Sequence, residues 1–565
     1  MNVRKLTKLL KKDPADSYLD DLKKPLRDDW VLIEGSVPEQ VEEALTASGK
    51  KLFQVDGSES SKAEAVTYDT KKYYEVMAQA KYLITDAAFR PFFIKRDGQK
   101  LLNLGGNTAF SGNQLKNFVS ADLIVSDDPE KLNADFQLGN LSDGRWISSD
   151  KLAEELPRFL NDEAAGTPFS SNGKKNVLIY TGRLARNGIT SSLLSLLNHL
   201  DPDKYNYFLT FRTYQAADHP EILNDIPDGF HLFPIEGRMN GSRKDRIRLG
   251  MYRRNLIDAD KAQDTLDRLF FNEGRRMFGG ARIDDAVQFS GYDYPMIHTF
   301  ARLKANRSIF AHNDMVKEAK ERNAAHIPTL KYAYETYDKV AAVTEDLLPV
   351  LRPLCTDQSK LTVVNNTIDD AKIRKLGSQP MAFDEGTSGT HSLEEVKNIL
   401  ANHKVLTTIG RFSPEKGHFR LIDAFEKLAQ EELDVYLMII GGHGKEYEKT
   451  LEYAEKRSGR IIILQNLSNP QPFLKASTGF ILPSFYEGLG LVLMEAIIQN
   501  VPVVSTNISG PRGFMNSVGG KLVEDSEEGV LEGVRLLAQG QVDSLNVDFD
   551  QYNQSAVQEF EQLLK

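Results

Sequence analysis

The chain predicts an α/β protein in which two tandem units, each a doubly wound parallel sheet, face one another across a cleft, with a further α/β module ahead of them. Three observations carry this expectation. Short apolar runs (KVLTTIG, VYLMIIGG, RIIILQN, GFILPS and VPVVST, between 404 and 506) alternate with helix-length segments. That is the pattern of parallel strands covered on both faces. A similar series opens sharply at KNVLIYTG (175–182), where RLARNG reads as a turn, ITSSLLSLLNHL as a helix and YNYFLTF as the next strand. Finally, the turns rich in Gly, Arg and Lys fall at strand ends, where doubly wound sheets bind ligands.

In chain order, residues 1–165 form the accessory module, 176–375 the first unit, 376–545 the second, and 546–565 a closing helix. The module starts with VRKLTKLLKK, a basic amphipathic segment stopped by Pro14. It reads as a solvated helix on its own domain, or as a weak contact with an anionic membrane surface. WVLIEG, KLFQV, KYLITD, PFFIKR and ADLIVS read as strands and YYEVMAQA as a helix, before a polar linker at 161–175. The first unit runs on to KVAAVTE (339–345) and KLTVVNNTID (360–369), with a long helical insertion expected between about 240 and 335. The second opens with a loop rich in Gly and Ser, and YNQSAVQEFEQLL closes the chain as an amphipathic helix.

Composition narrows the function. Against 70 Lys and Arg stand 80 Asp and Glu, so nothing global favours nucleic acid as a partner. A single cysteine, Cys355, excludes an intrachain disulfide and fits a reducing compartment. With no long apolar run and no signal peptide, the expected location is the cytoplasm, with the inner face of the cell membrane left open. No GK[ST] phosphate loop is present, and the pair Gly182 and Gly188 does not make a GxGxxG dinucleotide fingerprint. Neither HExxH nor CxxC occurs, so no metal and no cofactor are expected.

PSFYEGLGLVLMEA (483–496) runs from a strand end through a glycine turn into an apolar helix, with Glu487 in the turn and Glu495 in the helix. Gly488 and Gly490 allow close approach of backbone N–H groups, and the helix start favours an anion, which suits a phosphate flanked by hydroxyl-bearing rings. An ordinary strand–turn–helix would read the same way. TIGRFSPEKG (408–417) places Arg411 and Lys416 across a turn, a pair able to clamp a diphosphate. IIGGHGKE brings Gly442, and ILQNLSNPQPF brings Asn466 to a strand end where its backbone could border a nucleobase. In IFAHNDM, His312 could accept or orient a proton, although most isolated histidines are structural. Arg243, Lys244, Arg246, Arg248, Arg253 and Arg254 form a local positive patch suited to an anionic polymer or a lipid headgroup. A solvated helix face is equally open.

In their order, GRFSPEKG, GGHG, PSFYEGLGLVLMEA and STNISGPRG resemble the donor half of retaining glycosyltransferases of family 4, which have the GT-B fold. Glu487 and Glu495 match that family's E-x7-E motif. The resemblance implies that Arg411 and Lys416 hold the nucleotide diphosphate and that Glu487 contacts the donor sugar. It implies that Gly488, Leu489 and Gly490 lie near sugar and phosphates, and that Glu495 binds ribose hydroxyls. Gly182, Gly188, Gly442 and Asn466 complete the expected donor set, and His312 falls where the family often has a histidine near the reacting sugar. VVNNTID resembles the family's N-G-[IV]-D, with Thr367 replacing Gly.

YYEVMAQAKYLITDAAFRPFFIKRDGQKLLNLGGNT (73–108) is similar to CDP-glycerol glycerophosphotransferases of teichoic acid synthesis, with Leu104, Gly105 and Gly106 where those enzymes carry Trp-His-Gly. Losing the histidine implies an inactive, accessory module. Together the resemblances imply a metal-independent hexosyltransferase moving a hexose or N-acetylhexosamine from a nucleotide sugar, UDP-linked, to a teichoic-acid-like or other cell-surface polymer. Front-face attack and double displacement would both give retention. The expected partners are the nucleotide sugar and an anionic glycopolymer, with peripheral membrane contact and a homo-oligomer left open. The alternatives are glycerophosphate transfer from CDP-glycerol and a non-catalytic polymer-binding subunit of a wall-assembly complex.

Overall fold

A computed structural model describes residues 17–55, 62–106, 108–163, 165–431, 434–442 and 444–565. The basic segment expected at 3–12 and His443 of the GGHG turn lie outside them. The strands form three sheets. The first holds β1 (Arg27–Glu34), β2 (Lys51–Val55), β3 (Glu64–Val66), β4 (Ala80–Thr85), β5 (Lys100–Asn103), β6 (Leu123–Val125), β7 (Arg145–Ile147) and β8 (Thr167–Pro168). The second holds β9 (Asn176–Tyr180), β10 (Asn206–Arg212), β11 (His231–Ile235), β12 (Asp285–Gln288), β13 (Asn306–Ala311), β14 (Lys339–Ala342) and β15 (Leu361–Val363). The third holds β16 (Ser388–Gly389), β17 (Lys404–Ile409), β18 (Val435–Gly441), β19 (Ile461–Gln465), β20 (Gly479–Leu482), β21 (Val503–Thr506) and β22 (Lys521–Val523).

One strand order recurs. The sheets run β3-β2-β1-β4-β5-β6-β7-β8, β11-β10-β9-β12-β13-β14-β15 and β16-β19-β18-β17-β20-β21-β22. Pairings among the described residues are parallel except at two edges, where β8 and β16 run antiparallel. Each order reverses beside its first parallel strand: β1, β9 and β17. The crevice that such a reversal opens at the carboxyl ends is where doubly wound sheets bind ligands. Sheets two and three are two Rossmann-like, doubly wound units in tandem, as the sequence predicts.

Inner strands such as β9 and β20 are buried along their whole length. Val, Ile, Leu and Phe therefore appear there as runs rather than in alternation. Helices such as α1 (Lys71–Gln79) and α2 (Gly188–His199) cover the faces. In the second half the chain adds α3 (Arg243–Arg253) and α4 (Ala259–Phe278), packed on each other. In the third, α5 (His418–Glu431) buries Leu421, Ile422, Phe425 and Leu428 on one side, a helical period of apolar positions. α6 (Leu491–Ile498) follows β20.

Sheets one and two share one continuous hydrophobic core. Their junction is held by Arg276, buried and paired with Glu273, whose Nη1 donates to the carbonyls of Pro91 (3.1 Å) and Glu236 (2.7 Å). Removing one member of such a buried pair costs about 3–5 kcal/mol. The closing helix, α7 (Phe549–Glu561), crosses back to the second sheet. Asn553 brackets Ile368, accepting from its N–H at 2.9 Å and donating to its carbonyl at 2.8 Å, while Lys204 pairs with Glu561 at 2.6 Å.

Three expectations are corrected. The segment between 240 and 335 is not a helical insertion, because β12 and β13 lie within it as inner strands of sheet two. Both carry polar residues at their ends (Asp285 and Gln288; Asn306 and Arg307), which broke the apolar run that marks a strand. PFFIKR is a loop that inserts Phe93 and Ile94 into the core. The linker at 161–175 contributes β8 to the edge of sheet one.

Candidate active site

The third sheet reverses its order between β17 and β20, so the loops that follow these two strands meet. The first, 410–417, carries Arg411 and Lys416, and the second, 483–490, carries Glu487. Phe485 N–H donates to the Glu415 carbonyl at 2.8 Å, joining the loops through backbone. Lys416 Nζ reaches Glu487 Oε1 at 2.5 Å, and the buried Ser484 hydroxyl donates to the same oxygen at 2.8 Å. A cation and a carboxylate thus share a largely water-excluded corner, each with capacity left for a ligand.

Arg411 is half exposed and donates from Nη2 to Glu415 at 3.1 Å, leaving most of its fork free. Glu415 itself is buried. Burial pushes its carboxyl up, but the Ser413 hydroxyl, a backbone N–H, Arg411 and Arg322 together hold it below the usual range. α6 starts at Gly490, whose left-handed backbone (φ 77°) provides no side-chain cap. Its first N–H groups therefore remain available to an anion. The Leu489 side chain is buried in the core, so only its backbone can serve a ligand. Glu495, one turn into α6, accepts from Gln471 Nε2 at 2.6 Å, and burial pushes its carboxyl up to about 7.

The sequence reading missed Arg420. Its guanidinium is buried, donates to the carbonyls of Pro483 (2.8 Å) and Ser484 (2.7 Å), pairs with Asp525 (2.7 Å) and lies 3.8 Å over the Phe485 ring. It fixes the loop that presents Glu487. A cation in phase with the apolar face of α5 was the available signal.

The two halves touch across this site. A Cβ at Gly488 would lie 1.9 Å from the His312 carbonyl oxygen, so the backbones meet where only glycine fits. Gly513 N–H donates to Asp346 Oδ2 at 2.6 Å, and Lys317 lies over the Tyr486 ring at 5.3 Å. The His312 Nε2 donates to the Phe289 carbonyl at 2.6 Å, and burial pushes the ring down to about 4. The imidazole is therefore neutral at neutral pH, with its proton on Nε2 and Nδ1 as its acceptor.

Gly182 (φ 80°) ends β9 against Ser290, and Gly188 opens α2 with free space on its Cα. Gly442 is likewise unobstructed, while Asn466 takes a left-handed turn with its N–H on the Gly441 carbonyl. Among the described residues no hydrogen bond or ion pair joins Gly188 to the Lys416 and Glu487 corner. The six cations expected as an anion patch gather on α3 and the residue after it, and Arg253 lies over the Tyr294 ring at 5.5 Å.

In the first sheet the loops that follow β1 and β4 also meet. The Asp86 carboxylate occupies the space beside Gly35 and accepts from Ser36 N–H at 2.8 Å. Gly105 is left-handed (φ 73°), and a Cβ there would lie 2.2 Å from the Val125 carbonyl oxygen. The backbone of this loop leaves no room for a histidine side chain at 105.

Residues 391–555 match the family Glycosyl transferases group 1, and residues 38–121 match CDP-Glycerol:Poly(glycerophosphate) glycerophosphotransferase. An uncharacterized glycosyltransferase of Methanocaldococcus jannaschii is 27% identical over 213 residues, 37% of this chain and 50% of that protein. The capsular polysaccharide biosynthesis glycosyltransferase CapM of Staphylococcus aureus is 28% identical over 156 residues, 26% of this chain and 40% of that protein. The lipopolysaccharide core biosynthesis glycosyltransferase LpsE of Rhizobium meliloti is 35% identical over 143 residues, 25% of this chain and 41% of that protein. The chain therefore spans half or less of the length of these relatives. Strands β17 to β22 of its carboxyl-terminal sheet, with the loops that bring Lys416 to Glu487, lie within the stretch that matches the Glycosyl transferases group 1 family.

Proposed function

We propose that the protein is a retaining glycosyltransferase of family 4. It moves a hexose or N-acetylhexosamine from a UDP-linked sugar to a hydroxyl of a teichoic-acid-like or other cell-surface polymer. The observation that carries this reading is the Lys416 and Glu487 corner, set at the strand reversal of the donor sheet beside the uncapped start of α6. Breaking the bond between the sugar and the diphosphate leaves negative charge on the diphosphate. Lys416, the free fork of Arg411 and the N–H groups of α6 are fixed donors for that charge, and fixed donors stabilise it without reorganising. They take the part a divalent cation plays elsewhere, so a chelator should leave turnover unchanged.

Glu487, held by Ser484, accepts from the sugar hydroxyls, and Glu495 accepts from the ribose diol. The contacts of the two halves at Gly488 and Asp346 favour a closed cleft that excludes water and limits donor hydrolysis. The relatives named for capsular polysaccharide and lipopolysaccharide core biosynthesis support a surface polymer as the acceptor class. The amino-terminal module has no catalytic part in this reading, which the closed backbone at Gly105 supports.

The test is to follow nucleoside diphosphate release from a panel of nucleotide sugars and to read the anomeric configuration of the product by NMR. Retention is expected, with and without EDTA; an inverted product overturns the reading. Glu495 gives a pH signature. Ribose hydroxyls bind the carboxylate rather than the acid, so donor binding favours loss of its proton. Donor affinity should rise as pH rises through about 7 and level off above it. Glu495→Gln should flatten that profile in a binding titration.

A further inference from the structure

We propose that α3 docks the protein on an anionic lipid surface. This inference stands apart from the transferase reading, because it rests on residues outside the Lys416 and Glu487 corner. Three positions of α3, Asp245, Leu249 and Tyr252, face the protein and are buried. The opposite side would ordinarily be polar throughout. Here its outermost stripe carries Ile247 and Met251, 47% and 38% exposed, and Leu256 follows just beyond the helix at 66%.

Cations surround that stripe. Arg243, Lys244 and Arg254 are exposed, and no ion pair holds them among the described residues. The only acid within α3, Asp245, is turned inward to Arg268 and to the Ser242 cap, so it does not offset them. Arg248 and Lys261 join Ile247, Met251 and Ile257 in lining a shallow groove between α3 and the start of α4.

An apolar stripe ringed by cations, on a chain with net charge −10, is the complement of a phospholipid headgroup layer with acyl chains beneath it. A soluble polyanion would engage the cations but would have no use for exposed Ile247 and Met251. α3 begins eight residues after the carboxyl end of β11, the edge strand of sheet two. On its inner side Tyr252 packs against Tyr294, His298 and His326, residues that follow the inner strands β12 and β13.

The experiment is co-sedimentation of the full chain with vesicles of phosphatidylcholine alone or with phosphatidylglycerol, beside binding to soluble polyphosphate. Wild type should bind the anionic vesicles and leave the neutral ones in solution. Ile247→Ser with Met251→Ser removes exposed apolar surface and leaves every cation. It should weaken vesicle binding about tenfold and leave polyphosphate binding unchanged. Arg243→Ser with Lys244→Ser should weaken both. Because all four positions face solvent, circular dichroism and Tm should match wild type. Vesicle binding that survives the Ile247 and Met251 changes, or that wild type lacks, overturns the proposal. Equal loss of vesicle and polyphosphate binding in that variant also overturns it.

Discussion

Lys416→Ala and Glu487→Ala each lower donor turnover by about a hundred- to a thousandfold with the fold intact, the range seen when one fixed stabiliser of developing charge is removed. Each side chain is largely enclosed, and each is the other's ion-pair partner. In Lys416→Ala the diphosphate loses a cation as its charge develops, so kcat falls along with affinity. In Glu487→Ala the sugar loses an acceptor, and Ser484 loses the oxygen that orients it. Steady-state kinetics checks both, with circular dichroism as the control. Near-normal rates in the two variants would remove the corner from the reaction.

The second large effect is expected at Gly488, through position rather than charge. Gly488→Ala puts a methyl group 1.9 Å from the His312 carbonyl, a backbone atom that cannot rotate aside. The halves must then separate by an ångström or more along the contact. Misplacement on that scale costs about a hundredfold in rate, even where no reacting group is changed. Gly386→Ala, at a glycine with nothing within 4 Å, provides the comparison and should behave as wild type. Equal kinetics for both variants would show that the halves need not meet at Gly488 during turnover.

The donor half was the most legible part of the chain. Its inner strands carry short apolar runs, and the turns after them hold Arg411, Lys416, Gly488 and Gly490 in an order that resembles a known family. β12 and β13 were not legible, because their terminal polar residues bond to neighbouring segments that only the fold brings together. Asn306 Nδ2, for instance, donates to Asp285 and to the carbonyl of Leu563, at 2.6 and 2.7 Å. Arg420 escaped for a related reason: its three partners lie more than sixty residues away. The environment of His312 was not legible either, because its burial and its bond to Phe289 depend on the packing of sheet two. The exposed apolar stripe of α3 was equally hidden, since the cations around it dominate the sequence pattern.

The central claim is that the corner formed by the loops after β17 and β20 holds a nucleotide sugar. A thermal shift panel tests it most directly: wild type and Lys416→Ala, each with UDP-hexoses, UDP-N-acetylhexosamines and CDP-glycerol. A ligand at a hundred times its Kd stabilises the folded state by about 2.7 kcal/mol, enough to raise Tm measurably. At least one UDP-sugar should raise the Tm of wild type, and the rise should vanish in Lys416→Ala. A rise with CDP-glycerol alone, undiminished in Lys416→Ala, would contradict the claim.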